Sequence, residues 1–320
     1  MIGLISFCSC LSVAGSDLHE KKWQARSDHR TPENQDRDQW NVKSGIESRR
    51  VYIQMPESSK LGAGEVRYDP ESKQSYFVGF ERNEVGVNVA VESLLGAKRE
   101  QSYQDFRLYK FTESWSAEVS WMDYQGFNLT SSDLLSPRPS TSQRPDLRLQ
   151  GWSLTGMYNL FPDSLSLSAI MNGTARQQKS GGSVIMTGSI AQMTLTSDRG
   201  LIPWAKDTQE CCLYKNDLKV QSAAVGALGI YDLVFFQNWV TGIGWGVELG
   251  TQKVDQSLTS SASFESFATN RYFFNLGYQG KSFSALIYFL ENTHQISPTQ
   301  INSMMFGSTY SNFMITYFFD

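Results

Sequence analysis

Long stretches of apolar–polar alternation constrain this chain more than any other feature. Between Pro145 and Pro203 it marks three segments, Arg148–Leu160, Asp163–Asn172 and Ser183–Thr196. In the first, Trp152, Leu154, Gly156, Tyr158 and Leu160 share one face, and Ser153, Thr155, Met157 and Asn159 share the other. In the second, Leu165, Leu167, Ala169 and Met171 alternate with Ser164, Ser166 and Ser168. A repeat of two residues belongs to the extended strand, so each segment predicts a strand with two unlike faces. The Phe161-Pro162-Asp163 corner predicts that the first two form an antiparallel hairpin. Segments this long exceed the ordinary strand and suit a tilted crossing of a bilayer. The expected fold class is all-β, an antiparallel transmembrane β-barrel.

The pattern extends in both directions. Tyr76, Val78 and Phe80 lead into a turn at Glu81–Glu84, and Val85, Val87, Val89 and Val91 follow with Gly86, Asn88 and Ala90 between them. Tyr103–Phe111 and Trp115–Tyr124 flank Thr112-Glu113-Ser114. Lys219–Tyr231, Trp239–Leu249, Thr269–Gln279, Phe283–Asn292 and Thr309–Phe319 complete the set. Apolar-out, polar-in alternation of this kind is the signature of a barrel facing lipid outside and a wet or packed lumen inside. The count from Ser75 is twelve strands, with ten or fourteen as alternatives. One inconsistency accompanies it. The tight turns up to residue 172 fall at one end of the sheet, whereas those at Val234–Asn238 and Gln279–Ser282 then fall at the other. A strand is therefore missed or miscounted, and Ser197–Asp217 is where one is sought.

Composition removes several classes of function. The 320 residues carry a formal charge of −4 with no basic stripe, which argues against nucleic acid. No apolar run reaches the ~18 residues of a transmembrane helix, and Ala223–Phe236 is broken by Asp232. Residues 1–15 are apolar and end in Ser12-Val13-Ala14, so they read as a signal peptide without its positive start. Residues 16–60 read as a polar, largely disordered leader and 61–320 as the barrel. Cys8 and Cys10 lack a lipidation box, and the adjacent Cys211-Cys212 suits neither a disulfide nor a zinc site.

Candidate site residues follow from the inward register. Arg107, Glu118, Arg148, Lys219, Glu248 and Arg271 occupy positions opposite apolar ones and are expected to line the lumen, as a ligand site or as a salt-bridged filling. His294 alone among the histidines falls within the barrel; His19 and His29 fall in the leader. A hydrolase would need a serine activated by such a histidine, and no nucleophile motif accompanies it. Arg176 and Lys179 mark a cationic loop, and Asp207 and Glu210 lack the spacing of a calcium loop. No cofactor and no metal is expected.

The run Pro145-Asp146-Leu147-Arg148, Gly151, Tyr158-Asn159-Leu160, Asn172, Arg176-Gln177, Lys179-Ser180-Gly181, Gly188-Ser189 and Ser197-Asp198 with Leu201-Ile202-Pro203 resembles an uncharacterised family of Gram-negative bacteria, notably Bacteroidetes. Tyr124-Gln125-Gly126-Phe127 is similar to its segment just upstream. The likeness is sharpest over residues 121–203. It implies an exported barrel in the bacterial outer membrane and brings no activity with it. The partners this implies are the lipid bilayer and lipopolysaccharide. The terminal alternation Phe313, Ile315, Tyr317, Phe319 resembles the signal read by outer-membrane assembly machinery. The leading functional expectation is a non-catalytic barrel that binds or passes small solutes or serves as a structural envelope component. The alternative is a barrel-embedded enzyme acting on envelope lipid. A soluble, exported β-sandwich or lipocalin-like binder is the third class.

Overall fold

The computed structural model describes residues 40–55, 66–70, 74–92, 102–131, 141–198, 217–236, 238–255, 263–296 and 305–319. They form thirteen strands: β1 (Trp40–Met55), β2 (Val66–Pro70), β3 (Ser75–Arg82), β4 (Val85–Glu92), β5 (Ser102–Phe111), β6 (Trp115–Ser131), β7 (Thr141–Asn159), β8 (Gly181–Thr196), β9 (Asp217–Phe235), β10 (Trp239–Asp255), β11 (Ser263–Gln279), β12 (Phe283–Ile296) and β13 (Met305–Phe319). All pair antiparallel. β13 returns to β1, from Trp40 opposite Phe319 to Gln54 opposite Met305, so the ring closes without a free edge. Twelve strands make the ring. The short β2 fills the gap above β3, β4 and β5, pairing with the far end of β1 on one side and of β6 on the other.

Strand tilt follows from the register. Traced through its paired residues round the ring, Trp40 returns to its own strand about fourteen residues along, a stagger that tilts twelve strands by roughly 40°. At that tilt the outward run from Trp239 to Leu249 rises about 25 Å, the height of an apolar membrane band. Exposure confirms the facing. Ile243 is 68% exposed, whereas Glu248 on the opposite face is 1% exposed. Trp40, Trp115, Tyr158, Trp239, Phe283 and Phe319 form an exposed aromatic girdle at the short-turn end. Towards the other end the outer face turns polar at Gln104, Asp123 and Gln150, registered neighbours on β5, β6 and β7. Amphipathic rings at one boundary and polar side chains at the other delimit the lipid-facing surface.

The turns explain the miscounted strand. Asn83-Glu84, both at positive φ, make the two-residue hairpin that a right-twisted strand pair favours. The connections at Thr112–Ser114, 236–238 and Gly280–Ser282 are at the same end. So is the segment between β7 and β8, because β7 pairs directly with β8 from Asn159 opposite Ile185 to Arg148 opposite Thr196. The expected strand over Asp163–Asn172 is therefore absent, and so is the hairpin at Pro162. Residues 160–180 instead fold into the lumen, with one π-helical turn at Ser168–Asn172. Nor does any strand of the ring separate β8 from β9, which are paired neighbours. The missed strand is β1, within the stretch expected to be leader; in the sequence only its end, Val51–Met55, reads as a short β-prone piece, a leading strand or a plug element. It escaped because Lys43, Glu47 and Asn41 face inward, so its inner face reads as soluble chain. One false strand and one missed strand cancel, and the count of twelve stands.

The inward segment has a physical reason to leave the sheet. Leu165, Leu167 and Ile170 are wholly buried against Ile185, Leu228, Ile230 and Phe273. Each such side chain gains about 1.5–3 kcal/mol by leaving water. The intervening serines bond locally, Ser166 Oγ to Ser168 Oγ at 3.0 Å, as short polar side chains do in turns. Gly173 ends the helical turn at φ 64°, a conformation that glycine adopts without strain. Gly181 restarts the sheet where a Cβ would lie 2.3 Å from the Ser164 carbonyl oxygen.

A second irregularity explains part of the Pro-Asp-Leu-Arg run. Gly126, at φ 90°, breaks the β6–β7 register, so that Gln125 faces Arg148 and Phe127 faces Arg144. Pro145 sits in the break, where its missing N–H costs no ladder bond. Asp146 accepts from Arg144 Nε at 2.9 Å and from Ser197 Oγ at 2.9 Å, tying β7 to the end of β8.

Candidate functional site

The lumen above the inward segment holds a cavity of about 150 Å³. Its floor includes Asn172 and Met171; its walls include Arg107 from β5, Glu118 from β6, Thr155 from β7, Arg271 from β11 and Asn312 from β13. Alternation places the wall side chains there, since each occupies an inward position between two outward neighbours.

Two charged networks frame it. Arg107 donates through Nε and one terminal nitrogen to Asp105, each at 3.2 Å, and through that same nitrogen to Glu47 at 2.7 Å. Its other terminal nitrogen meets the Tyr310 hydroxyl at 2.6 Å, and that hydroxyl donates to Glu47 at 2.9 Å. Tyr103 donates to Glu47 at 3.1 Å and Tyr124 to Asp105 at 3.3 Å. Opposite them, Arg271 pairs with Glu248 at 2.9 Å, and Thr187 and Ser189 lie within 3.5 Å of that carboxylate. Buried ions need partners of this quality, because each loses water on entering the barrel.

A third cluster fastens the inward segment. Lys43 Nζ lies 2.5 Å from Glu81 Oε2 and 2.9 Å from the Tyr109 hydroxyl, and also donates to Asn172 Oδ1. Asn172 Nδ2 donates to the same Glu81 oxygen at 2.7 Å. Gln279 receives the Gln177 backbone N–H at 2.8 Å and donates to the Ala169 carbonyl at 3.1 Å. Ser284 donates to the Gly173 carbonyl at 2.6 Å, and Arg176 to Asn238 at 2.6 Å. The segment is thus held by β1, β3, β11 and β12 and by the β9–β10 turn, right across the short-turn end.

Of the six residues expected in the lumen, Arg107, Glu118, Glu248 and Arg271 are there. Arg148 and Lys219 are not; both share the outward register, Arg148 with Trp152 and Lys219 with Gln221. Arg148 instead pairs with Asp123 on the outer face beyond the aromatic band. Their strands run past the membrane, and there the outer face is polar too, so polarity no longer marks the inside. Lys43, Glu47, Glu81, Asp105 and Asp232 are buried as well, and lie outside the six expected positions. Asp105 and Arg107, two apart on one strand, carried the signal, whereas Glu81 was absorbed into the turn. Arg176 is anchored rather than solvated. The His294 backbone registers opposite Thr269, while its side chain, His19, His29 and Cys211-Cys212 lie outside the described residues.

A family model described as "Domain of unknown function (DUF4421)" matches residues 40–319. No curated protein matches the sequence. Among solved structures, the translocator domain of the autotransporter NalP from Neisseria meningitidis is similar at 11% identity and a TM-score of 0.41, covering 95% of this chain and 96% of that one. The β domain of the Bordetella autotransporter BrkA gives 8%, 0.41, 86% and 99%. The outer membrane protease OmpT from Escherichia coli gives 8%, 0.38, 89% and 98%. At such identity the strand register itself remains the basis for the fold.

Proposed function

The chain belongs to the DUF4421 family, whose function is unknown, and from its own lumen we infer a closed outer-membrane barrel that holds a small solute without conducting and without covalent chemistry. The observation that carries this is the inward segment of residues 160–180, which fills the short-turn end with buried Leu165, Leu167 and Ile170. A twelve-strand ring has a backbone radius of roughly 11 Å, too wide for wall side chains alone to fill, so a barrel of this size needs such an insert to close. Short turns face the periplasm in barrels of this kind, which puts the insert at the periplasmic end. The outer apolar band is the surface for the bilayer, its polar margin the surface for lipopolysaccharide, and β13 the strand presented to assembly machinery. Osmotic swelling of proteoliposomes in small sugars tests the reading. Vesicles carrying the wild-type barrel are expected not to swell above protein-free controls, and rapid swelling would refute closure.

A further inference from the structure

Two side chains on the cavity wall are left incomplete by the barrel's own networks. Arg271 and Asn312 are both more than nine-tenths buried, yet Arg271 Nε and Asn312 Oδ1 have no hydrogen-bond partner. Each side chain is already engaged once: one terminal nitrogen of Arg271 pairs with Glu248, and Asn312 Nδ2 donates to the Tyr310 hydroxyl at 3.0 Å. A buried donor and a buried acceptor left open are costly, and native interiors rarely keep them. We propose that the cavity is a binding site for a neutral, polyhydroxylated solute of monosaccharide size. The proposal rests on the closed-barrel reading, since it needs an enclosed lumen.

Four further points select that class. A hydroxyl both donates and accepts, so one ring bearing several of them can satisfy Arg271 Nε and Asn312 Oδ1 together. Charge and hydrogen-bond polarity argue against an ion of either sign. The two arginines are surrounded by Glu47, Asp105, Glu118 and Glu248, an acidic excess that repels an anion, while the open guanidinium N–H offers a cation no lone pair. Size sets the scale, because 150 Å³ accommodates on the order of ten waters or one hexose. The wall combines the hydroxyls of Ser116 and Thr155 with the rings of Tyr288 and Phe111, a mixture that meets a sugar's polar edges and its C–H faces.

The test uses the full chain refolded in detergent and titrated calorimetrically with D-glucose, D-galactose and D-mannose, with D-glucuronate and D-glucosamine as charged counterparts. At least one neutral sugar is expected to saturate at millimolar concentration, tenfold or more tighter than either charged one. Asn312→Leu should weaken that binding at least tenfold. Thr155→Leu should do the same by filling the cavity and removing a wall hydroxyl; it breaks no side-chain hydrogen bond within the barrel, so it serves even if Asn312→Leu misfolds. Both are judged against heat-modifiable gel mobility. The inference is overturned if no neutral sugar saturates, if a charged counterpart binds as tightly, or if folded Thr155→Leu binds like wild type. Steady conduction by the wild-type barrel would instead remove the closed-barrel reading beneath it.

Discussion

Replacing Lys43 by methionine should release the fastening of the inward segment. Lys43 is wholly buried, and its ammonium joins Glu81 of β3, Tyr109 of β5 and Asn172 of the segment. Without it, the Glu81 carboxylate keeps the Asn172 amide at 2.7 Å and loses its counter-charge. Removing one partner of a buried pair costs about 3–5 kcal/mol, chiefly because the remaining charge is stranded. Glu81→Gln should cost a similar amount for the converse reason. The double variant strands no charge, so it should recover on the order of 2 kcal/mol against the sum of the single losses. Urea unfolding in phospholipid vesicles, followed by tryptophan fluorescence and heat-modifiable mobility, measures all four corners of the cycle. Single losses below 1 kcal/mol that simply add would refute the idea that this pair fastens the segment.

The remaining predictions separate outer wall, lumen and insert. Ile243→Arg, on the lipid face, should cost about 2–4 kcal/mol in vesicles and far less in a detergent of loose packing. Leu167→Ala should cost about 2–5 kcal/mol in either medium, because Leu167 packs in the lumen and not against lipid; a strong dependence on lipid thickness would contradict that placement. Glu248→Ala should cost about 3–5 kcal/mol by stranding Arg271, whereas Arg148→Ala, at a partly exposed outer pair, should cost about 1 kcal/mol or less. Equilibrium unfolding of the two variants side by side decides whether the lumen and rim have been told apart.

Where the outward face is apolar without interruption, the fold was legible in the sequence. The valine ladder of β4, the Trp115–Trp121 face of β6 and the Trp239–Leu249 face of β10 all point outward as their alternation required. Legibility failed where the chain leaves that regime. β1 carries Lys43 and Glu47 inward and so looked like a solvated leader. The Ser164–Met171 alternation imitated a strand, but its apolar residues were answering a lumen cluster that only the closed ring creates. The site was half legible for the same reason. Arg107, Glu118, Glu248 and Arg271 lie at membrane height, where polarity means inside. Arg148 and Lys219 lie beyond it, where polarity means nothing about side. The ring of partners around Glu47 joins β1, β3, β5 and β13, strands distant in sequence, and no local pattern could have assembled it.

Planar-bilayer recording of two purified proteins tests the closure of the barrel most directly: the wild-type chain, and a variant in which residues 161–180 are replaced by a short Asn-Gly turn. With the insert present the short-turn end is sealed, so the wild-type protein should insert and stay silent. With it removed, the same ring should show discrete, long-lived current steps. Stable steps from the wild-type barrel, or equal silence from a correctly folded variant, would contradict the account.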